Sequence, residues 1–214
     1  MKIIKSSFEI LNIKNREEAE SLLKIIEIAG RTCYKSEHKI TQDSSKAFLT
    51  NILKLGHESV IEHVSISVKI VCDRGISHEI VRHRIASYSQ ESTRFCNYSK
   101  DNFGNEITVI EPCFWEKDSD LYKKWEESIK ASEQEYFYLI SNGAKPQEAR
   151  SVLPNSLKTE IVMTANLRSW RNFFRLRTSQ SAHPQIREIS IPMLNEFKIL
   201  MPEIFGDINP KWYI

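Results

Sequence analysis

Arg82, His83 and Arg84, followed by Ser87, Ser92 and Arg94, are the side chains of this chain best equipped for chemistry. The stretch from Arg82 to Arg94 carries three arginines, one histidine and a run of hydroxyl and amide groups against a single carboxylate, Glu91. Arginine offers five donors in a fixed fork that matches phosphate and planar oxygen acceptors. Such a stretch is costly to bury without an anionic partner. The first implication is a phosphate-bearing ligand. A second basic group lies further on: Arg150, Lys158, Arg168, Arg171, Arg175, Arg177 and Arg187, with Glu160 the one acid between Arg150 and Arg187. If the two groups converge, they could hold two phosphates, or one phosphate and a planar heterocycle. Neither G-x-G-x-x-G nor a Walker sequence is present, so side chains would have to hold the phosphate. A G-x-S-x-G elbow is also missing.

Two further constellations invite chemistry. Gly56-His57-Glu58-Ser59-Val60-Ile61-Glu62-His63 brings two histidines and two glutamates together. Its spacing is not H-E-x-x-H, so no metal site is expected; a polar turn lining a pocket, or surface histidines, fits better. Cys33, Cys72, Cys96 and Cys113 form no C-x-x-C pair and read as reduced thiols. Cys96 lies close to the basic stretch, but an idle thiol is the simpler reading.

The elements that must position these groups follow from periodicity. A strand is expected at 8–13, a helix capped by Asn15 and weakened by Gly30, and a helix from Ser44 to Leu55 closed by Gly56. Val64, Ile66, Val68 and Ile70 alternate with polar neighbours as a clear strand. Asp73-Arg74-Gly75 reads as a turn, and 76–82 as a short helix leading into the basic stretch. Residues 97–105 read as loop and 106–111 as a strand ended by Pro112. A long helix is expected over 118–142, with Gly143 at its end. Pro146 opens another helix that ends by Pro154. Residues 159–165 fit a strand or a helix start. Leu167 to Arg177 reads as a helix that sets Leu167, Trp170, Phe173 and Phe174 on one face, with Arg177 inside that apolar arc. A guanidinium there must find a partner or reach out to solvent, unless the helix ends before it. The last helix starts at His183-Pro184, and Pro192 predicts a kink or break. These elements make one α+β domain.

The chain has 214 residues, 41% hydrophobic and 27% charged, with a formal net charge of +2. That is ordinary for a soluble globular protein and gives no polycation for indiscriminate nucleic-acid binding. No apolar run reaches membrane-spanning length and the N-terminus lacks an apolar targeting segment, so a soluble cytoplasmic protein is expected. Three classes compete on the residues alone. One is an enzyme acting on a nucleotide with a phosphate-bearing cofactor. Another is a nucleic-acid-binding module that interleaves arginines with Tyr88, Phe95, Tyr98, Trp170 and Phe173. The third is a structural protein whose arginines pair with carboxylates at subunit contacts. Arg177 on an apolar face favours the first.

The stretch Arg82-His83-Arg84, with Ser87, Ser92 and Arg94, resembles the R-H-R-x-x-S-x-x-x-x-S-x-R signature of flavin-dependent thymidylate synthases. Gly56-His57-Glu58-Ser59 with Glu62-His63 resembles that family's G-H-E-[ST] segment and the E-H after it. Ala149-Arg150-Ser151-Val152-Leu153-Pro154 resembles its A-R-x-x-L-P segment. Asn166-Leu167-Arg168, Phe173-Phe174, Leu176-Arg177 and Ala182-His183 match its C-terminal half in order, so the resemblance runs from about Arg31 to Ile189. Departures occur at Ser89-Gln90, where some members have Asn-Glu, at Glu79, where some have Gln, and at His183-Pro184-Gln185-Ile186-Arg187.

The resemblance implies an α+β fold of the thymidylate synthase-complementing type: a single domain over residues 1–214, with a central mixed or antiparallel sheet packed by helices. It implies methylation of dUMP to dTMP by 5,10-methylenetetrahydrofolate, with FAD as redox carrier, NADPH as reductant and no cysteine nucleophile. The substrate set it implies for dUMP is Glu79, Arg82, Gln90, Glu91, Ser92, Thr93, Arg94, Arg150 and Arg177, with Arg177 as the catalytic residue that activates the uracil. The set it implies for FAD is Ser59, Arg82, His83, Arg84, Gln90, Asn166, Arg168 and Asn172. It implies a homotetramer with active sites shared between subunits, and neither nucleic acid nor membrane as a partner.

Overall fold

The computed structural model describes residues 1–100 and 104–210. Part of the loop expected at 97–105 therefore lies outside the described residues. The chain opens with β1 (Lys2–Ile4) and β2 (Ser7–Ile10), the latter shorter than the expected strand. Helix α1 (Arg16–Cys33) begins where Asn15 accepts the Glu18 N–H at 2.9 Å. It runs past Gly30, the residue expected to weaken it. A Cβ at Gly30 would lie 2.5 Å from the Phe48 ring, so the glycine permits a close approach to the next helix. That helix, α2 (Ser44–Lys54), is followed two residues on by Gly56, whose φ of +74° suits glycine. The 57–63 segment is a 3-10 helix over Glu58–His63.

Strand β3 (Ser65–Asp73) alternates partly exposed and buried residues as its sequence demands. Asp73 is no turn residue but the N-cap of α3 (Arg74–Ile80), accepting the Ile76 N–H at 2.6 Å. Arg82 consequently falls beyond the helix that was expected to carry it. β4 (Ser87–Gln90) and β5 (Thr108–Ile110) follow, then α4 (Asp120–Ser141), capped by Ser119 and closed near Gly143 at φ +90°. α5 (Pro146–Ala149) passes into a 3-10 turn at Arg150–Val152. The ambiguous 159–165 segment is strand β6 (Lys158–Asn166). Its alternating burial rules out a helix, whose buried positions would recur every three to four residues. α6 (Leu167–Arg177) matches its expected bounds and includes Arg177. α7 (Pro184–Leu200) continues through Pro192 as one helix, with Ile189, Met193, Leu194 and Phe197 buried on both sides of the proline. α8 (Pro202–Phe205) completes the described elements.

The fold is α+β. The strands form a two-stranded sheet, β1-β5, and a four-stranded sheet in the order β2-β3-β6-β4. β1 and β5 are parallel, with Ile3 opposite Val109, while Val109 also bridges Leu157 in antiparallel sense, so the pairing is mixed.

The chain divides into two compact units. The first comprises residues 1–7, 70–82 and 89–161, and the second residues 8–69, 83–88 and 162–214. The first unit is built on Tyr98, Ile107, Val109, Ile129, Tyr136, Ala149 and Leu157. The second holds an aromatic cluster of Trp170, Phe173, Phe174, Phe197 and Phe205, all fully buried. Trp170 stacks on Phe174 at 5.7 Å and donates its indole N–H to the Ile66 carbonyl at 3.0 Å, which ties α6 to β3. Burial of each such ring contributes about 2–3 kcal/mol. Among the described residues, no helix is long and apolar enough to cross a membrane.

Candidate functional site

The second basic group does not survive as a single anion site. Lys158 is paired with Glu91 at 2.8 Å and Glu160 at 2.7 Å. Arg168 is paired with Glu62 at 2.6 Å, and Arg175 with Glu58 at 3.2 Å. Arg171, about 40° round the helix from Leu167, is the guanidinium that α6 buries, at 2% exposure. It meets Glu58 at 3.2 Å and grips both Asp207 oxygens at 2.6 and 2.7 Å. It also donates to the Ile204 carbonyl. Apart from Glu160, the acids that neutralise the run are distant in sequence. By contrast, Arg74, Arg82, Arg84, Arg94 and Arg150 form no ion pair with any described carboxylate. Arginines left unneutralised in this way are the natural place for an exogenous anion.

Two of them meet in the first unit. A cavity of about 450 Å³ is lined by Arg74, Thr93, Arg150, Ser151, Asn155 and Leu157, among others. The Arg150 guanidinium donates to Thr93 Oγ1 at 3.3 Å, so the two basic stretches touch here. Arg74 sits in the first turn of α3 because Asp73 caps that helix. Sequence reasoning passed over Arg74 as part of a turn; the Asp73 capping signal, three residues before Ile76, could have placed it. Among the described residues, the peptide N–H groups of Ser92 and Thr93 donate to no protein acceptor. The turn they sit in is closed instead by Ser92 O, which accepts from Cys96 N at 2.9 Å and Phe95 N at 3.2 Å.

The side chains of Gln90 and Glu91 are committed elsewhere. Gln90 Nε2 donates to Ser77 Oγ at 2.9 Å and Thr159 Oγ1 at 3.2 Å. Glu91 accepts from Lys158 and from Tyr98 OH at 3.1 Å. Glu79 and Ser92 are partly exposed in the same unit, and Arg82 and Arg94 are exposed there. Of the residues expected around dUMP, all but Arg177 belong to the first unit.

The residues expected around FAD fall mostly in the second unit: Ser59, His83, Arg84, Asn166, Arg168 and Asn172. Arg82 and Gln90 do not. A cavity of about 430 Å³ there is lined by Phe48, Ile52, His57, Glu58, Ser59 and Arg168, among others, with Gly30 and Cys33 on its wall. Glu58 is fixed by Arg171 and Arg175, which anchors the His57–Ser59 segment. Asn166 spends its Oδ1 on the Ser169 N–H at 2.8 Å as the cap of α6. Arg84 and Asn172 are exposed, away from that cavity's lining. Among the described residues, no group of three His, Cys, Asp or Glu is placed to hold a metal ion.

His83 and Arg177 form the second unit's other polar pair. Arg177 Nε donates to His83 Nε2 at 3.0 Å, so the arginine on the apolar face has a histidine among its partners. An accepting Nε2 places the imidazole proton on Nδ1. His83 is 8% exposed and packs on the Phe173 ring at 4.9 Å. Burial, and then the Arg177 charge, push its pKa down to about 4. It is neutral at pH 7. Tyr88 OH donates to the His83 carbonyl at 2.6 Å and fixes the local backbone. Two thiols are held against ionisation: burial pushes Cys72 up to about 12, and burial followed by the Glu91 charge raises Cys96.

Fold and site define an α+β protein with an arginine-lined cavity in its first unit and a histidine–arginine pair in its second. The family described as thymidylate synthase complementing protein matches residues 17–203. The chain is 39% identical over 163 residues to the flavin-dependent thymidylate synthase of Pyrococcus abyssi (strain GE5 / Orsay), covering 76% of this chain and 66% of that protein. It is 35% identical over 192 residues to the enzyme of the same name from Geobacter sulfurreducens, covering 86% and 81%. Its fold is similar to that of a UMP/dUMP methylase, PolB, from Streptomyces cacaoi bound with 5-Br dUMP, with a TM-score of 0.77, 19% identity and 96% of each chain covered. The chain belongs to the thymidylate synthase complementing protein family and is an enzyme of that family.

Proposed function

We propose that this enzyme methylates dUMP at C5 to give dTMP, taking the one-carbon unit from 5,10-methylenetetrahydrofolate and the reducing electrons from NADPH by way of FAD. The observation that carries this reading is that Arg74 and Arg150, two arginines without carboxylate partners, line one cavity with Thr93. A nucleotide phosphate fits that cavity: Arg74 and Arg150 supply charge, Thr93 a hydroxyl, and the Ser92 and Thr93 peptides two further donors. Gln90 then contributes to dUMP through its backbone, since its side chain is occupied.

Arg177 is assigned to the uracil. Its charge is permanent, so it favours the base with negative charge developing at N3 and its oxygens. Neutral His83 accepts from Arg177 Nε and so helps to fix the guanidinium plane. The second unit's cavity suits a flavin, with apolar Phe48 and Ile52 beside hydrogen-bonding His57, Ser59 and Arg168. There Ser59 and Arg168 would hold the cofactor, with His83, Arg84 and Asn172 as its other expected contacts. When bound, the flavin supplies the hydride chemistry. The high pKa of Cys72 and Cys96 supports activation of the base without a thiolate. The family resemblance implies a homotetramer.

The test is a spectrum of the purified protein followed by NADPH oxidation with and without dUMP. Flavin bands and dUMP-stimulated oxidation are expected. A colourless protein that binds arbitrary oligonucleotides with a steep salt dependence would replace the proposal with a nucleic-acid-binding module.

A further inference from the structure

Glu91 is the one carboxylate in the basic stretch, and it is anchored at every polar group it has. Its N–H donates to the Glu160 carbonyl on β6 at 2.8 Å. Its own carbonyl accepts from Arg74 Nη1 at 3.5 Å. One carboxylate oxygen accepts from Lys158 Nζ at 2.8 Å, the other from Tyr98 OH at 3.1 Å. Lys158 is held in turn by Glu160 at 2.7 Å. Burial alone would lower the Lys158 pKa, but the hydrogen bonds and charges of Glu160 and Glu91 raise it, so Lys158 keeps its charge. Tyr98 is 5% exposed and packs on Tyr136, in the core of the first unit.

This anchor sits immediately before the two unengaged peptide N–H groups of Ser92 and Thr93. Thr93 lines the cavity with Arg74 and Arg150, and Arg74 touches both that cavity and the Glu91 carbonyl. A turn whose donors must face an anion has to be held by something other than those donors. Lys158, Tyr98 and the β6 carbonyl supply that restraint from the protein side. We propose that Glu91 is a positioning residue: clamped by Lys158 and Tyr98, it holds the 91–94 turn so that its peptide donors and Thr93 present a preformed cradle to the 5′-phosphate of the nucleotide. This builds on the nucleotide reading above. The clamp acts on phosphate affinity and leaves flavin binding and recognition of the base untouched.

The experiment compares dUMP with deoxyuridine, which lacks the phosphate, by calorimetric binding to flavin-loaded wild type, Glu91→Ala, Glu91→Gln and Tyr98→Phe. In Glu91→Ala the dUMP dissociation constant should rise about tenfold or more, from loss of charge-assisted restraint. Deoxyuridine affinity and flavin content should hold, and the loss should appear in KM for dUMP more than in kcat. Glu91→Gln keeps the shape and should recover part of the loss. Tyr98→Phe keeps the ring packing and should lose about threefold. Unchanged dUMP affinity in Glu91→Ala and Tyr98→Phe would overturn the proposal. So would an equal loss of dUMP, deoxyuridine and flavin, which marks a general structural role. A wild type that binds flavin but no dUMP would sink the nucleotide reading itself and is distinguishable from both.

Discussion

Lowering the pH from 7 should destabilise the protein through His83, by an amount the structure sets. The ring accepts a hydrogen bond from Arg177 Nε, an interaction open only to neutral imidazole. Its pKa is near 6.5 in the unfolded chain and about 4 in the fold, through burial first and the Arg177 charge second. Between those values the unfolded chain binds a proton that the folded chain does not. Stability from this residue is therefore complete above pH 6.5 and is lost progressively as the pH falls towards 4. The full gap corresponds to about 3 kcal/mol, and solvent screening reduces the expected loss to about 2 kcal/mol. The comparison is urea unfolding at pH 7, 5.5 and 4.5 for wild type and His83→Gln. Glutamine can accept the same bond through its amide oxygen without titrating. Carboxylates contribute equally to both proteins, so the difference isolates His83. The wild type should lose about 1–2 kcal/mol more than the variant by pH 4.5. Parallel pH dependence in the two, or an imidazole that titrates near 6.5 by NMR, would refute the neutral His83–Arg177 pair.

Other outcomes follow from the same geometry. Arg177→Ala should retain flavin, as measured by absorbance, yet lose at least about a hundredfold in dTMP formation, the scale of removing a transition-state donor. Replacing Cys33, Cys96 and Cys113 with serine should leave turnover within about threefold; Cys72, at 1% exposure, needs alanine because a buried serine hydroxyl would lack a partner. A specific loss from Cys96→Ser in folded, flavin-loaded protein would reinstate a thiol nucleophile. Gly30→Ala pushes a methyl against the Phe48 ring and should cost about 1–3 kcal/mol in urea unfolding.

Local signals made most of the elements legible. The Asn15 cap, the alternation over 64–72 and the start and apolar face of α6 each follow from residue spacing alone. β6 was ambiguous because the polar Thr159 is buried on one face while the apolar Val162 lies on the other, which blurs the alternation. Asp73 was misread because an aspartate before arginine and glycine fits both a turn and an N-cap; only the accepted Ile76 N–H separates them. Pro192 suggested a break, but packing on both sides of it keeps α7 whole. The site was legible as a list of residues and not as a set of charge balances. Arg171, not Arg177, turned out to be the buried cation, because Asp207 lies 36 residues away in the chain and no periodicity reports it. The same holds for Lys158, which looked like part of an anion site and is the counter-ion of Glu91. Nor does spacing reveal that most of the expected dUMP and FAD residues sort into different units.

The account's central claim is that dUMP is converted by flavin chemistry on an arginine-held nucleotide. It is tested most directly by incubating the flavin-loaded protein with dUMP, NADPH and 5,10-methylenetetrahydrofolate and measuring the nucleotide product by mass spectrometry. The account predicts dTMP in the wild type, none when NADPH or the folate is omitted, and little in Arg177→Ala. No dTMP from folded, flavin-loaded wild type, or equal dTMP from Arg177→Ala, would contradict it.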